Sequence, residues 1–185
     1  MITKENFDKL RIELSVKSKN GLDFTFSAAI VWLLIAYIWI LSYRAYDKSV
    51  LTFIVRSLLL PLAFLLSKVF KTTWTNKDNP LQPLGLWLNF AQLFCFPFLI
   101  FTLLKMPEYF IMVYAIITGT HLFPYPWFYK TNLFVIFAGV IAIGALILRL
   151  NIPTEKMYLI PIFASISLII LTILLYIDSK KKQIV

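Results

Sequence analysis

Six apolar runs separated by short polar stretches dominate this chain. They cover residues 24–42, 51–70, 82–104, 108–123, 131–149 and 157–177. An α-helix rising about 1.5 Å per residue needs about 20 apolar residues to cross a hydrocarbon core about 30 Å thick. Five of the runs reach that length. The fourth, from Glu108 to Phe123, extends only about 24 Å as a helix. It is expected either to stand nearly upright or to bury its far end, around His121, among neighbouring helices. The predicted fold is therefore all-α, a membrane-embedded bundle of about six transmembrane helices occupying residues 22–178.

Two polar segments flank the bundle. In residues 1–21, Phe7, Leu10 and Leu14 fall on one helical face while Lys4, Lys9, Arg11 and Lys17 fall mostly elsewhere. This pattern reads either as a cytoplasmic amphipathic helix on the membrane surface or as a solvated tail, and Asn20-Gly21 ends it. Residues 179–185 form a basic cytoplasmic tail. No signal-cleavage pattern precedes the first run, so that run is expected to be retained.

Composition supports the same class. The chain is 60% hydrophobic and 15% charged, whereas soluble domains are about 45–50% apolar and about 25% charged. Its net charge of +9 does not indicate a nucleic-acid partner, because the basic residues lie between apolar runs rather than along one face. Of the 18 Lys and Arg residues, Arg44, Lys48, Lys105, Arg149 and Lys156 fall on one side of a six-span path. Arg56 falls inside a run, and the others share a side with both termini. Basic residues concentrate in cytoplasmic loops, so both termini are expected in the cytoplasm of a multi-pass cell-membrane protein. Two aromatic groups agree with this orientation: Trp39, Tyr43, Tyr46, Tyr109 and Tyr158 at the outer interface, and Trp74, Trp87, Trp127, Tyr129 and Tyr176 at the inner one.

Against this apolar background a few polar residues stand out. Arg56 lies about five residues into the second run. A charge there costs free energy, so it either snorkels to the headgroups or faces an internal ion pair or anion site. The six-span path places Arg56 in the outer third of its span and Glu108 at the outer start of the fourth, so an Arg56–Glu108 ion pair is expected. Asp47 and Glu155 are competing partners. Asn89 and Gln92 share a face of the third run, suited to interhelical hydrogen bonding or to substrate binding. Pro61 and Pro97 are expected to kink their helices. Ala138, Gly139 and Ala142 form a small-residue stripe for close helix packing.

Tyr114, Thr118 and His121 line one face of the fourth helix. Tyr125 follows in an aromatic turn where Pro124 and Pro126 are expected to end the helix in an extended conformation. That region is either an aromatic belt with a hydrogen-bonded histidine or a binding or proton-handling site. One histidine and one cysteine, Cys95, supply no metal set, no disulfide and no implied cofactor. The acids all fall in tails, loops or span ends, against a buried-carboxylate proton pump. No catalytic motif appears, so an enzyme is disfavoured.

Arg56-Ser-Leu-Leu-Leu-Pro61 and the later Gly119-Thr-His121-Leu-Phe-Pro124-Tyr125-Pro-Trp127-Phe-Tyr129 resemble a family of small uncharacterised bacterial multi-pass membrane proteins with an HLFPYxWxY-like motif. The resemblance covers most of the chain, the first twenty residues least. It implies a bacterial inner-membrane setting and no particular activity. The expected role is binding or transport of a small molecule or lipid, through Arg56, Asn89, Gln92, Tyr114, Thr118, His121 and Tyr125. The alternative is an accessory or scaffold protein for a membrane partner, and an intramembrane enzyme comes third. Membrane lipids, a small-molecule ligand, and a second copy or another membrane protein are the partners considered.

Overall fold

Ten α-helices succeed one another in residues 4–183, the part of the chain that the computed structural model describes, and no strand occurs among the described residues. They are α1 (Lys4–Lys17), α2 (Leu22–Ile40), α3 (Ala45–Arg56), α4 (Leu59–Phe70), α5 (Gln82–Ala91), α6 (Phe96–Lys105), α7 (Phe110–Leu122), α8 (Tyr125–Tyr129), α9 (Leu133–Asn151) and α10 (Leu159–Lys182). Five stretches are long and apolar enough to cross a membrane: Lys19–Ile40, Ala45–Phe70, Gln82–Lys105, Leu133–Asn151 and Thr154–Lys182. The short fourth run is α7, with 13 residues.

The core lies where α2 packs on α10 and α7 packs on α9. Trp32, Ile35, Ile111, Ile141, Leu168 and Leu171 are fully buried there, and Trp32 stacks on Tyr114 with ring centroids 5.0 Å apart. Ser165 Oγ donates to the Ala29 carbonyl at 2.8 Å, a polar tie between α10 and α2. The α7–α9 contact is close because Gly119 carries no side chain. A Cβ there would stand 2.9 Å from both the Ala138 carbonyl oxygen and the Ala142 nitrogen. Gly139, the third member of the small-residue stripe, meets nothing within 4 Å, so the stripe acts through Ala138 and Ala142 alone.

Both expected proline kinks are present, and both break a helix on the N-terminal side of the proline. Proline lacks a donor, and its ring clashes with the carbonyl four residues earlier. Before Pro61, the Ser57 and Leu58 nitrogens turn to the Ile54 and Val55 carbonyls at 3.1 Å, which separates α3 from α4. Before Pro97, residues Gln92–Cys95 tighten into a 3₁₀ turn between α5 and α6. The aromatic turn departs from expectation: Tyr125–Tyr129 is helical, with proline in its first turn. A first-turn proline has no intrahelical hydrogen bond to lose and its φ already suits a helix.

The N-terminal helix is docked on the bundle. Phe7 packs on Trp127 with centroids 5.2 Å apart, Leu14 is buried, and Lys130 pairs with Asp8 at 3.0 Å. At its far end Lys19, Asn20 and Gly21 take φ values of +49, +58 and +70, a left-handed turn that redirects the chain into α2. The basic tail is partly an extension of α10, which continues to Lys182. Lys182 Nζ donates to Ser15 Oγ at 3.1 Å and to the Tyr129 carbonyl at 2.8 Å. The two ends of the described chain therefore lie on the same face of the bundle.

Glu13 clasps α1 to the 72–81 connection. It accepts from Asn76 Nδ2 and Asn79 Nδ2, both at 2.9 Å, and pairs with Lys17 at 2.6 Å. The Lys17 ammonium, then Asn76 and Asn79, hold its carboxyl below the usual glutamate value of 4.5. A depressed carboxylate stabilises the fold above its unfolded pKa, and that contribution is lost as pH falls through the folded value. Acidification below about pH 4.5 should therefore loosen this clasp, read as faster amide exchange across residues 72–82. In Glu13→Gln the added acid-dependent exchange should disappear.

Candidate functional site

Arg56 and Gln92 hold equivalent places in two kinked helices. Each lies five residues before the proline that breaks its helix, Pro61 and Pro97 respectively. The second membrane-length stretch begins at Ala45 rather than at residue 51. Arg56 is thus about 16 Å along it, toward its middle and not in its first third. The expected Arg56–Glu108 ion pair is not formed: among the described residues Arg56 joins no carboxylate. Glu108 lies at the other end, in a shallow pocket with Trp39, Lys48 and Glu155. Arg56 Nη2 instead donates to Gln92 Oε1 at 3.1 Å, and its guanidinium lies 5.8 Å from the Tyr114 ring centre. The Gln92 amide nitrogen and the Tyr114 hydroxyl are buried without a hydrogen-bond partner.

These groups stand beside a cavity of about 830 Å³. It exists because α4 packs on α2 while α5 rests on α7, which leaves a gap between α4 and α5. Arg56, Asn89, Gln92, Thr118, His121 and Tyr125 all line it. Tyr114, the remaining sequence candidate, sits behind Arg56. Leu60, Leu86 and Leu93 line the cavity yet are 60%, 58% and 50% exposed, so this wall opens sideways out of the bundle. The end toward α1 is polar, with Lys17, Asn76 and Gln82 at its rim.

The candidates differ in how they are held. Thr118 Oγ1 is tied to the Tyr114 carbonyl at 3.0 Å. Asn89 Nδ2 donates to the Gly85 carbonyl of its own helix at 2.8 Å, so it makes none of the interhelical bonding that was one expectation for it. His121 Nε2 and the Tyr125 hydroxyl are 3.3 Å apart, and Tyr125 stacks on Tyr129 at 6.0 Å. Burial pushes the Tyr129 phenol up to about 12, so it remains a donor at neutral pH. The end of α7 around His121 is enclosed by Leu122 and Tyr125, both buried.

Sequence reasoning missed Asp23, which is 1% exposed and lines the same cavity. Its carboxylate accepts from Thr72 Oγ1 at 3.0 Å and from the Trp74 indole nitrogen. The available signal was an acid at the first turn of an apolar run, with a tryptophan and threonines at the end of the next. Among the described residues, no three His, Cys, Asp or Glu side chains cluster as a metal site.

An all-helical bundle with five helices of membrane-crossing length, and a largely apolar cavity that holds a few polar side chains, defines the class of protein. The chain belongs to a family of unknown function, DUF7010, whose model matches residues 7–178. No curated protein and no solved structure matches it.

Proposed function

We propose that this is a bacterial inner-membrane protein of six spans, with both termini cytoplasmic, that binds a small molecule or lipid in its central cavity as part of a transport function. The observation that carries the reading is the cavity itself: about 830 Å³, open sideways through apolar walls, with polar side chains held at mid-bundle depth. Ligand sites are typically apolar clefts with a few convergent polar groups. The topology is supported by parity. The five long helices are odd in number, whereas the two ends of the described chain lie on one face. On this reading α7 is the further crossing, since it runs from the turn beside α3 to α8 against α1. The bias of Lys and Arg toward the same face supports the cytoplasmic placement. External labelling of a cysteine at position 2 or 184 in intact cells would overturn that orientation.

Native mass spectrometry of the detergent-purified protein tests the cavity. Wild type should retain a small-molecule or lipid adduct, and Ser57→Trp, which fills the cavity from its wall, should lose most of it. Equal retention by both proteins, or none by wild type, defeats the reading. A scaffold role is the second reading, favoured by α5, none of whose residues is buried, so that a partner helix could cover it.

A further inference from the structure

Resting on the cavity reading above, we infer that the cavity takes an amphiphile bearing a single negative charge, whose anionic head docks on Arg56 and the Gln92 amide and whose apolar body lies between α4 and α5. Three independent observations converge on this class of ligand. The first is charge. Arg56 sits at mid-bundle depth, where an uncompensated guanidinium is costly, and no acid of the described chain pairs with it. The carboxylate that shares the cavity, Asp23, is already engaged by Thr72 and Trp74. Lys17, the other cation on the cavity wall, is already paired with Glu13. Arg56 is therefore the cation on the cavity wall that has no carboxylate partner among the described residues, and an anionic head supplies one.

The second observation is the donor set. Gln92 is 9% exposed; its oxygen is used by Arg56, and its amide nitrogen is buried and unpartnered beside the same cavity. A buried donor without an acceptor costs about 1–3 kcal/mol. The Tyr114 hydroxyl is in the same condition, on a ring against which the guanidinium lies. By accepting from Arg56, the Gln92 oxygen turns its amide nitrogen into a second donor fixed next to the first. An anion with two acceptor oxygens satisfies a guanidinium and an amide together, and charge-assisted bonds of this kind are the strong ones.

The third observation is the wall. Leu59, Leu60, Leu86, Phe90, Leu93 and Phe96 border the cavity, and several of them continue onto the exposed flank of the bundle. An apolar chain can leave the cavity there into lipid without meeting a polar barrier. A carboxylate on a long chain and the phosphodiester of a phospholipid both carry this chemistry. Arg56 stands toward the middle of its membrane-length stretch rather than at an end, which favours the free acid.

The experiment is displacement of the fluorescent long-chain acid cis-parinarate from purified protein in detergent, with dodecanoate, dodecanol and phosphatidylglycerol as competitors. Saturable parinarate binding is expected, displaced by dodecanoate at concentrations at least about tenfold lower than by dodecanol, the factor that about 1.4 kcal/mol of head-group binding supplies. Displacement by phosphatidylglycerol but not by dodecanoate would assign the single charge to the lipid instead. Arg56→Met should weaken parinarate about tenfold or more. Gln92→Glu places an internal carboxylate on Arg56, so it should abolish anion binding while raising the unfolding temperature, which keeps a folding defect apart from a binding defect. Dodecanol competing as well as dodecanoate, with binding unchanged in both variants, would overturn the anion site and leave the cavity standing. If Ser57→Trp does not reduce binding of any competitor, the cavity reading fails with it.

Discussion

Asn20→Leu should lower the unfolding temperature in detergent by more than about 10 °C, the shift that roughly 3–5 kcal/mol produces in a chain of this size. Asn20 is fully buried and its side chain ties two other elements together. Ser15 Oγ donates to its oxygen at 2.5 Å, which ties it to α1. Its amide nitrogen donates to the Leu175 carbonyl at 3.0 Å and to Asp178 Oδ2 at 2.9 Å, which ties it to α10. Leucine leaves these buried partners unsatisfied, at about 1–3 kcal/mol for each group stranded. It must also adopt the φ of +58 that asparagine tolerates and branched or bulky residues do not. Asn20→Gly removes the same bonds but relieves the backbone, so its loss should be smaller. Equal losses for the two variants would show that the left-handed turn itself costs nothing.

Gly119→Ala should destabilise the bundle by about 1–3 kcal/mol, the usual cost of overpacking, despite alanine's better helix propensity. The atoms that a methyl group would meet belong to the α9 backbone, which cannot rotate away as a side chain could. The two helices must separate. Gly139→Ala, on the facing helix with open space around it, should be neutral or slightly stabilising. Thermal unfolding of the pair checks this, and similar midpoints for the two variants would count against a close α7–α9 contact.

Much of the fold was legible because a hydrocarbon solvent leaves a blunt signature. The apolar runs became helices near their expected limits, Asn20-Gly21 did end α1, and Phe7, Leu10 and Leu14 did form one face. What failed were inferences about depth and contact. The polar residues Asp47, Lys48 and Ser49 hid the true start of α3, so Arg56 was placed too near the start of its helix and assigned to Glu108. Counting small residues identified Gly139 but not Gly119, because a stripe shows which helices can approach and not which atoms do. Arg56, Gln92 and His121 each stood out individually as a polar residue in an apolar run. That they share one cavity depends on the packing of α3, α5 and α7, which no local pattern contains. Asp23 was hidden by its position at a span end, where an acid looks solvated until the 72–81 connection folds over it.

The placement of the two ends of the described chain on one face bears on how such a chain is oriented. Ends on one face can be joined through a linker and the chain reopened elsewhere with the core unchanged. Reopening it between α9 and α10, near Pro153, would leave every core contact in place yet move both new ends to the opposite face. The basic residues now near the ends, such as Lys17, Lys19, Lys180 and Lys182, would become an internal loop on their original face. In the natural order, the location of the ends and the location of the positive charge are the same fact. In the permuted order they are opposed, so the side on which the new ends emerge would reveal which of the two the insertion machinery reads.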